Sequence, residues 1–328
     1  MQGLIGLLKA AGSLMGLQPF LLITAGIIVG ILAGAMPGVS PSMGVALMVP
    51  FTYAMDPSLA LVYLAAIYLA ANYGGSITAV TINTPGTPSA AVTAFDGYPL
   101  ARKGRAGEAL GVSLVASCVG GAVGIIVLIL FSGPLAKVAL KFWPAEYFSL
   151  AVLGLSTIAS MGGQNALKSA ISAVLGLLIC TIGMDPVLGV SRFTFGNVNL
   201  FDGFEFIPML IGLLALSEVF AEVEKFDFAA ESVAGSARAK WPSLGYYWKL
   251  RMSMLRASVI GTIVGIFPGA GATIATFISY DVEKRFSSTP EEFGQGMPEG
   301  VAAAEASNSA SVGGALVPML TLGIPGSA

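Results

Sequence analysis

Residues 81–88 read TINTPGTP and residues 321–328 read TLGIPGSA. Each phrase follows a Gly-Gly pair, Gly74-Gly75 in the first case and Gly313-Gly314 in the second. Proline removes a backbone donor and clashes with the preceding turn, and glycine permits positive φ. The phrase therefore interrupts a helix, and it does so twice in a very apolar chain. Of 328 residues, 55% are hydrophobic and only 10% charged, with a mean hydropathy of +0.83. Soluble domains carry about 25% charged residues, so this chain lacks the polar surface to cover a globule.

Apolar runs occur at 20–36, 58–73, 108–131, 146–161, 165–184, 203–220 and 256–280, with shorter, broken ones at 42–55, 76–95 and 299–325. Runs of about 17–25 residues cross a bilayer as helix, and the period-2 alternation of a membrane barrel is absent. The fold class read from this is an all-α polytopic membrane protein. Residues 1–17 read as an interfacial amphipathic helix. Net charge is −2 and there is no histidine, which removes the commonest general base and metal ligand. Cys118 and Cys180, both within apolar runs, read as small core residues. No basic stripe points to nucleic acid.

Basic residues orient the loops. Arg102, Lys103 and Arg105 form one cluster, and Arg238, Lys240, Lys249, Arg251 and Arg256 a second. An even number of spans between them puts both on one side, which the positive-inside rule makes cytoplasmic. The polar stretch 221–255 reads as a cytoplasmic linker, and Asp96-Gly97 as ordinary turn chemistry on that same side.

The two halves repeat an order of features. GILAGAMPGVSPSMG at 30–44 matches GTIVGIFPGAGATIA at 261–275. In each, Gly-xxx-Gly and Pro-Gly are followed by a small-residue helix, an Asn, Gly-Gly, Thr and a second Pro-Gly. This gives a first repeat at 18–105, scaffold spans at 106–220 and a second, incomplete repeat at 256–328. An odd number of crossings between equivalent points would invert the repeats, and the inverted arrangement, with broken helices and re-entrant hairpins, is the one expected. At membrane depth, broken helices are tolerated only against protein or a water-filled cavity. They free amide donors that suit an anion and carbonyls that suit a cation. Paired interruptions in two halves are the best sequence pointer to a transporter's substrate site.

The candidates follow from the motifs. Anion contacts fall to Ser40, Ser42, Asn83, Thr84, Pro85, Gly86 and Thr87 in the first half, and to Thr273, Pro325, Gly326 and Ser327 in the second. Cation contacts fall to the backbone at Pro37-Gly38 and Pro268-Gly269, with Asn72, Asn308 and Glu305. Glu305 lies three residues before Asn308 and shares a helical face with it. It reads either as a cation or proton carrier or as an acid near a helix start opened by Pro298. No Lys or Arg lies in these motifs, and a charge at that depth is costly. No cofactor or bound metal is expected beyond a co-transported sodium ion or proton. Catalytic residues are not expected either: clustered acids and paired cysteines are lacking, and no GxxxxGK[ST] phosphate loop occurs. A passive anion channel and, further off, a membrane enzyme stand as alternatives to ion-coupled uptake.

Longer stretches carry a family likeness. GAMPGVSPSMGVALMVPFTYAMDP (34–57), YGGSITAVTINTPGTPSAAVTAFDGYPLARKGRAGEALG (73–111), FPGAGATIATFISYDVEKRFS (267–287) and FGQGMPEGVAAAEASNSASVGGALVPMLTLGIPGS (293–327) resemble the large membrane subunit of the tripartite tricarboxylate transporters, TctA. The resemblance covers nearly the whole chain. It implies a secondary transporter of a bacterial inner membrane, importing a citrate-like di- or tricarboxylate on an ion gradient. Implied partners are a small TctB-like membrane subunit and a TctC-like periplasmic solute-binding protein. The resemblance also implies a longer family member, so a chain ending at Ala328, just after the second Pro-Gly, reads as truncated at its C-terminus, with the closing spans missing.

Overall fold

The computed structural model describes residues 14–36, 39–139, 166–185, 189–204, 241–267 and 271–322, together with a few isolated positions. Helices dominate: α1 (Leu17–Ala35), α2 (Pro41–Thr52), α3 (Pro57–Ile82), α4 (Ala90–Leu100), α5 (Ala106–Ala139), α6 (Ala166–Cys180), α7 (Leu244–Lys249), α8 (Arg251–Ile266), α9 (Gly271–Phe286) and α10 (Pro298–Leu322). Two-residue strands at Gly183–Met184 and Ser191–Arg192 form a small antiparallel hairpin after α6. The helical runs Leu17–Ala35, Pro57–Ile82 and Ala90–Pro134 are long and apolar enough to cross a membrane. Large apolar side chains such as Phe20, Leu32, Leu61, Leu130, Phe131 and Ile263 stay exposed, as a hydrocarbon solvent requires.

Local chemistry sets the boundaries. Ser40 caps α2, accepting from the Met43 amide at 3.1 Å, and Pro41 opens the helix. Asp56 does the same for α3 through the Ser58 amide at 2.9 Å, ahead of Pro57. Asn83 ends α3 in the left-handed region at φ 54°, with its amide donating to the Thr78 carbonyl. Between α4 and α5 a π-helical turn spans Ala101–Arg105, and Gly104 at φ 78° reverses the chain.

Glycines fix the packing. A Cβ on Gly26, Gly30 or Gly34 of α1 would strike the backbone of Tyr63, Ile67 or Ala71 of α3. Both series ascend together, so α1 and α3 run parallel and the short α2 is the return piece. The same geometry recurs where Gly261 and Gly265 of α8 meet Ser307 and Ser311 of α10. Thus α8 and α10 run parallel, with α9 returning between them. Gly74 backs onto Ile31, and Gly314 onto Thr262. The offsets are constant: Gly261 follows Gly30 by 231 residues and Thr262 follows Ile31 by 231, while Ser307 follows Ile67 by 240 and Gly314 follows Gly74 by 240.

Directions follow from the remaining contacts. Gly120 and Gly124 of α5 meet Ala306 and Ala310 of α10, so these helices are parallel. Ser76 of α3 lies beside Glu305 and Ser117, whereas Val80 clusters with Leu100, Ala101 and Ala109. Moving forward along α3 therefore means moving backward along α5. The pair α1–α3 runs opposite to the pair α8–α10. The first turns of α5, α8 and α10 lie at one end, with the basic Arg102–Arg105 and Lys249–Arg256 segments. There Arg105 pairs with Glu108 at 2.5 Å, and the Tyr246 hydroxyl donates to the same carboxylate. Burial, then that hydrogen bond, pushes the Tyr246 phenol above its usual range.

Four expectations change. Residues 241–255 are packed structure: Tyr247 and Trp241 close over Gly111, and Leu250 and Met254 are buried. Residues 221–240, the rest of the expected linker, lie outside the described residues. Cys118 and Cys180 are exposed rather than core, because in a membrane helix the apolar solvent is lipid as well as protein. The run at 299–325, read as broken, is one continuous helix as far as Leu322, and each Gly-Gly pair lies inside an unbroken helix, Gly74-Gly75 in α3 and Gly313-Gly314 in α10. These glycines are sites of backbone contact, as small residues are between membrane helices. Finally, Asp96 sits inside α4 and is fully buried, not in a turn.

Candidate functional site

Helix α10 is the axis of the site. Its stretch Val301–Ala310 is buried throughout, enclosed by α5, α8, α9 and α4. In the middle of this stretch stands Glu305, fully buried. Its Oε1 accepts from the Ser76 hydroxyl at 2.5 Å and from the Thr93 hydroxyl at 2.5 Å. Oε2 accepts from the Ser117 hydroxyl at 2.9 Å. The donors come from α3, α4 and α5, so one carboxylate gathers three helices of the first half onto a helix of the second. No salt bridge to Glu305 occurs among the described residues.

Energetics make this arrangement unusual. Burying an ion costs several kcal/mol even after relaxation. Hydrogen bonds to a charged group return about 1.5–3 kcal/mol each, so three hydroxyls offset much of that cost. They are neutral, however, so an ionised Glu305 would have no opposite charge among the described residues to balance it. One turn further along the same face is Asn308, 1% exposed, with neither its Oδ1 nor its Nδ2 partnered. Unpartnered buried amides are rare, and this one stands beside that carboxylate.

A second structure abuts the first. Residues 83–89 reverse the chain between α3 and α4. The Gly86 amide donates to the Gly75 carbonyl at 3.2 Å, and a Cβ on Gly86 would collide with the Gly34 carbonyl. Only glycine allows the turn to lie in this crevice at the end of α1. Thr87 is buried and caps α4, its Oγ1 accepting from the Ala90 amide at 3.3 Å and lying 3.2 Å from the Ser89 hydroxyl. The Thr84 amide donates to the Thr78 carbonyl at 3.3 Å. Asn83 is exposed, and Thr84 and Pro85 are half-buried. Gly75, which holds the turn, immediately precedes Ser76, which holds Glu305.

The other sequence candidates divide. Ser40 is spent on capping α2, and Ser42 lies in the first turn of that helix. Asn72 is buried but donates to the Tyr68 carbonyl of its own helix at 2.9 Å. It also does not occupy the position equivalent to Asn308, because the 240-residue offset brings Asn72 to Val312. Thr273 lies half-buried in the first turn of α9. Pro37, Gly38, Pro268, Gly269, Pro325, Gly326 and Ser327 lie outside the described residues. Sequence reasoning missed Ser76, Thr93 and Ser117. Ser76 directly follows the Gly74-Gly75 pair, which was the one available signal; Thr93 and Ser117 look like any helical hydroxyl that bonds back to its own turn.

Asp96 organises the end of the site that lies beside the start of α10. Its Oδ1 accepts from the amides of Gly294, Gly296 and Met297, each at 2.8 Å, and its Oδ2 from the Tyr280 hydroxyl at 2.7 Å. It thereby caps the start of α10, where an anion is favoured by the helix dipole. Lys103 adds a bond to the Gln295 carbonyl at 2.6 Å. Helix α4 thus holds α10 at two levels, through Asp96 at its base and Thr93 at Glu305.

Comparison with known proteins supplies the context. Residues 20–328 match the model of the tripartite tricarboxylate transporter TctA family. An uncharacterized 52.8 kDa protein in the TAR-I ttuC' 3'region of Agrobacterium vitis is 41% identical over 283 residues, covering 86% of this chain and 56% of that protein. An uncharacterized protein in the TAR-II ttuC' 3'region of the same organism is 49% identical over 65 residues, covering 20% of this chain and 27% of that protein. The chain spans about half the length of the first of these curated relatives. No solved structure matches.

Proposed function

Because the chain belongs to the tripartite tricarboxylate transporter TctA family, we propose that it is the substrate-translocating part of an ion-gradient-driven importer of di- or tricarboxylates. The small membrane subunit and the periplasmic binding protein that delivers substrate are its partners in this reading, and a bacterial inner membrane is its location. The observation that carries the proposal is the turn at 83–87, with Gly86 wedged between α1 and α3 and hydrogen-bonded to Gly75, the residue before Ser76 of the Glu305 cluster. Depth supports it. Glu305 is seven residues from the start of α10 and Ser117 eleven from the start of α5, or about 10 and 16 Å at helical rise. With the basic turns at the inner surface, the cluster falls near the middle of a hydrocarbon core about 30 Å thick.

The two helix triads, α1–α2–α3 and α8–α9–α10, are read as inverted repeats. Supporting this are the constant offsets of their glycine contacts and the opposite directions of the two pairs. Such repeats place a substrate between half-helix ends, where main-chain amides meet an anion without a lysine or arginine. Asn83, Thr84, Pro85, Gly86 and Thr87, with Ser40 and Ser42, are the first-half contact in this reading, and Thr273, Pro325, Gly326 and Ser327 the second-half one.

Uptake of labelled di- and tricarboxylates into liposomes, with both partners present, tests the function. Accumulation above the outside concentration under an imposed cation gradient is the expected result. Equilibration that stops at equal concentrations would make the protein a passive channel. Gly86→Val is expected to abolish uptake while leaving membrane insertion intact, since the side chain has no room beside the Gly34 carbonyl.

A further inference from the structure

We infer that Glu305, Ser76, Thr93, Ser117 and Asn308 form a binding site for a single dehydrated sodium ion, and that this ion sets the geometry of the 83–89 turn. The inference rests on the transport reading and assigns its coupling ion a place.

Charge comes first. The site holds one carboxylate and no cationic side chain among the described residues. A monovalent cation balances it, whereas a divalent ion would leave a positive charge buried. The donor set comes second. Every ligand on offer is an oxygen: a carboxylate, three hydroxyls and an amide carbonyl. Hard cations take such ligands, and thiolate- or imidazole-seeking metals do not. The hydroxyls donate to Glu305 but keep their own lone pairs, and the buried Ser113 hydroxyl, which has no hydrogen-bond partner of its own, also faces the carboxylate. An ion seated among them is shared by oxygens on four helices.

Asn308 separates sodium from a proton. A proton on Glu305 would neutralise the charge but leave the amide of Asn308 with nothing to bind. A metal ion takes up its Oδ1 and the carboxylate together. Tyr73 is the titratable neighbour of Glu305 from α3, and Cys118 of α5 lies close to Tyr73; neither supplies a positive charge.

The cluster is joined to the 83–89 turn through the chain itself. Ser76 adjoins Gly75, whose carbonyl holds the Gly86 amide, and Thr93 lies in the first turn of α4, which the 83–89 segment enters. An ion that ties Ser76 and Thr93 to one carboxylate fixes the spacing of the two helices that flank the turn. Sodium binding therefore organises the substrate contact, and substrate in turn tightens sodium, as linkage requires.

The test is a sodium titration of the purified protein with its small membrane partner, without carboxylate, at ionic strength held constant with choline. Radioactive sodium binding and thermal unfolding are read together. Saturable one-site binding, at least about tenfold tighter than for potassium, is expected. Glu305→Gln should abolish it. Thr93→Ala, Ser117→Ala and Asn308→Ala should each weaken it about threefold to tenfold, and they decide the matter if the Glu305 variant does not fold. Unchanged sodium binding in all three, or stabilisation by acid instead of sodium that disappears in Glu305→Gln, overturns the assignment. Carboxylate uptake by a protein that binds no sodium also overturns it. Sodium binding that behaves as expected but ignores every carboxylate would support the ion site and sink the transport reading instead.

Discussion

At the scale of single residues, Asp96 and Glu305 show how burial changes what a carboxylate does. Both are fully buried, 0% exposed, yet their partners differ. Asp96 receives three main-chain amides and a phenol, fixed groups belonging to a loop and a helix start. Glu305 receives three hydroxyls, each of which can rotate toward another partner. The first set is a permanent anchor and the second an exchangeable one. Asp96→Ala would leave three amides without an acceptor, of which the Gly296 amide is buried and costs about 1–3 kcal/mol when unsatisfied. A drop of several degrees in apparent melting temperature in detergent is the expected outcome. Tyr280→Phe, which removes one neutral donor, should cost much less. Equal melting of Asp96→Ala and wild type would show that the loop at 294–297 is held by something else.

At the scale of elements, glycine position matters more than glycine content. Gly120 and Gly124 of α5 and Gly261 and Gly265 of α8 press against the backbone of α10 from two sides. Gly121 and Gly133, on α5 as well, have open space where a Cβ would go. Membrane helices associate through such close backbone approach, since lipid leaves no hydrophobic drive between them. Gly120→Leu and Gly261→Leu should therefore prevent a monodisperse, folded preparation in size-exclusion chromatography. Gly121→Leu should behave as wild type. The reverse pattern would place α10 somewhere other than between α5 and α8. Helix α4, only eleven residues long, is placed by the Thr93 bond to α10, by the bonds of Asp96 to the 294–297 segment and to Tyr280 of α9, and by one turn to α3, so its position follows theirs.

At the scale of the whole molecule, the parallel pairs α1–α3 and α8–α10 run in opposite directions about the Glu305 cluster. The basic turn at Gly104 and the segment at Lys249 belong to one end. In a background with Cys118 and Cys180 replaced, single cysteines at positions 104 and 249 should react with a membrane-impermeant thiol reagent only from the cytoplasmic side. Phe195, 90% exposed on the segment after the α6 hairpin, gives the contrasting position: Phe195→Cys should react from the periplasmic side. Labelling of positions 104 and 249 from opposite sides would break the arrangement of α5, α8 and α10 as parallel helices.

Composition and pattern alone determined the solvent, the helical class and the places where α1, α5 and the start of α3 lie, because a charged fraction this low and runs this long admit few folds; the single run at 256–280 divides into α8 and α9. The interruption after α3 was equally legible, since Asn-Thr-Pro-Gly has one local outcome wherever it stands. The two Gly-Gly pairs were not. A glycine inside a helix signals either a break or a close neighbour, and only Ile31 and Thr262 opposite Gly74 and Gly314 decide between these. The hydroxyls of Ser76, Thr93 and Ser117 were hidden for a similar reason. Each is chemically able to bond back to its own helix, and each turns to Glu305 only because three helices meet α10 at one level. A local backbone preference is written into neighbouring residues, whereas the aim of a side chain depends on partners more than 180 residues away, brought there by packing.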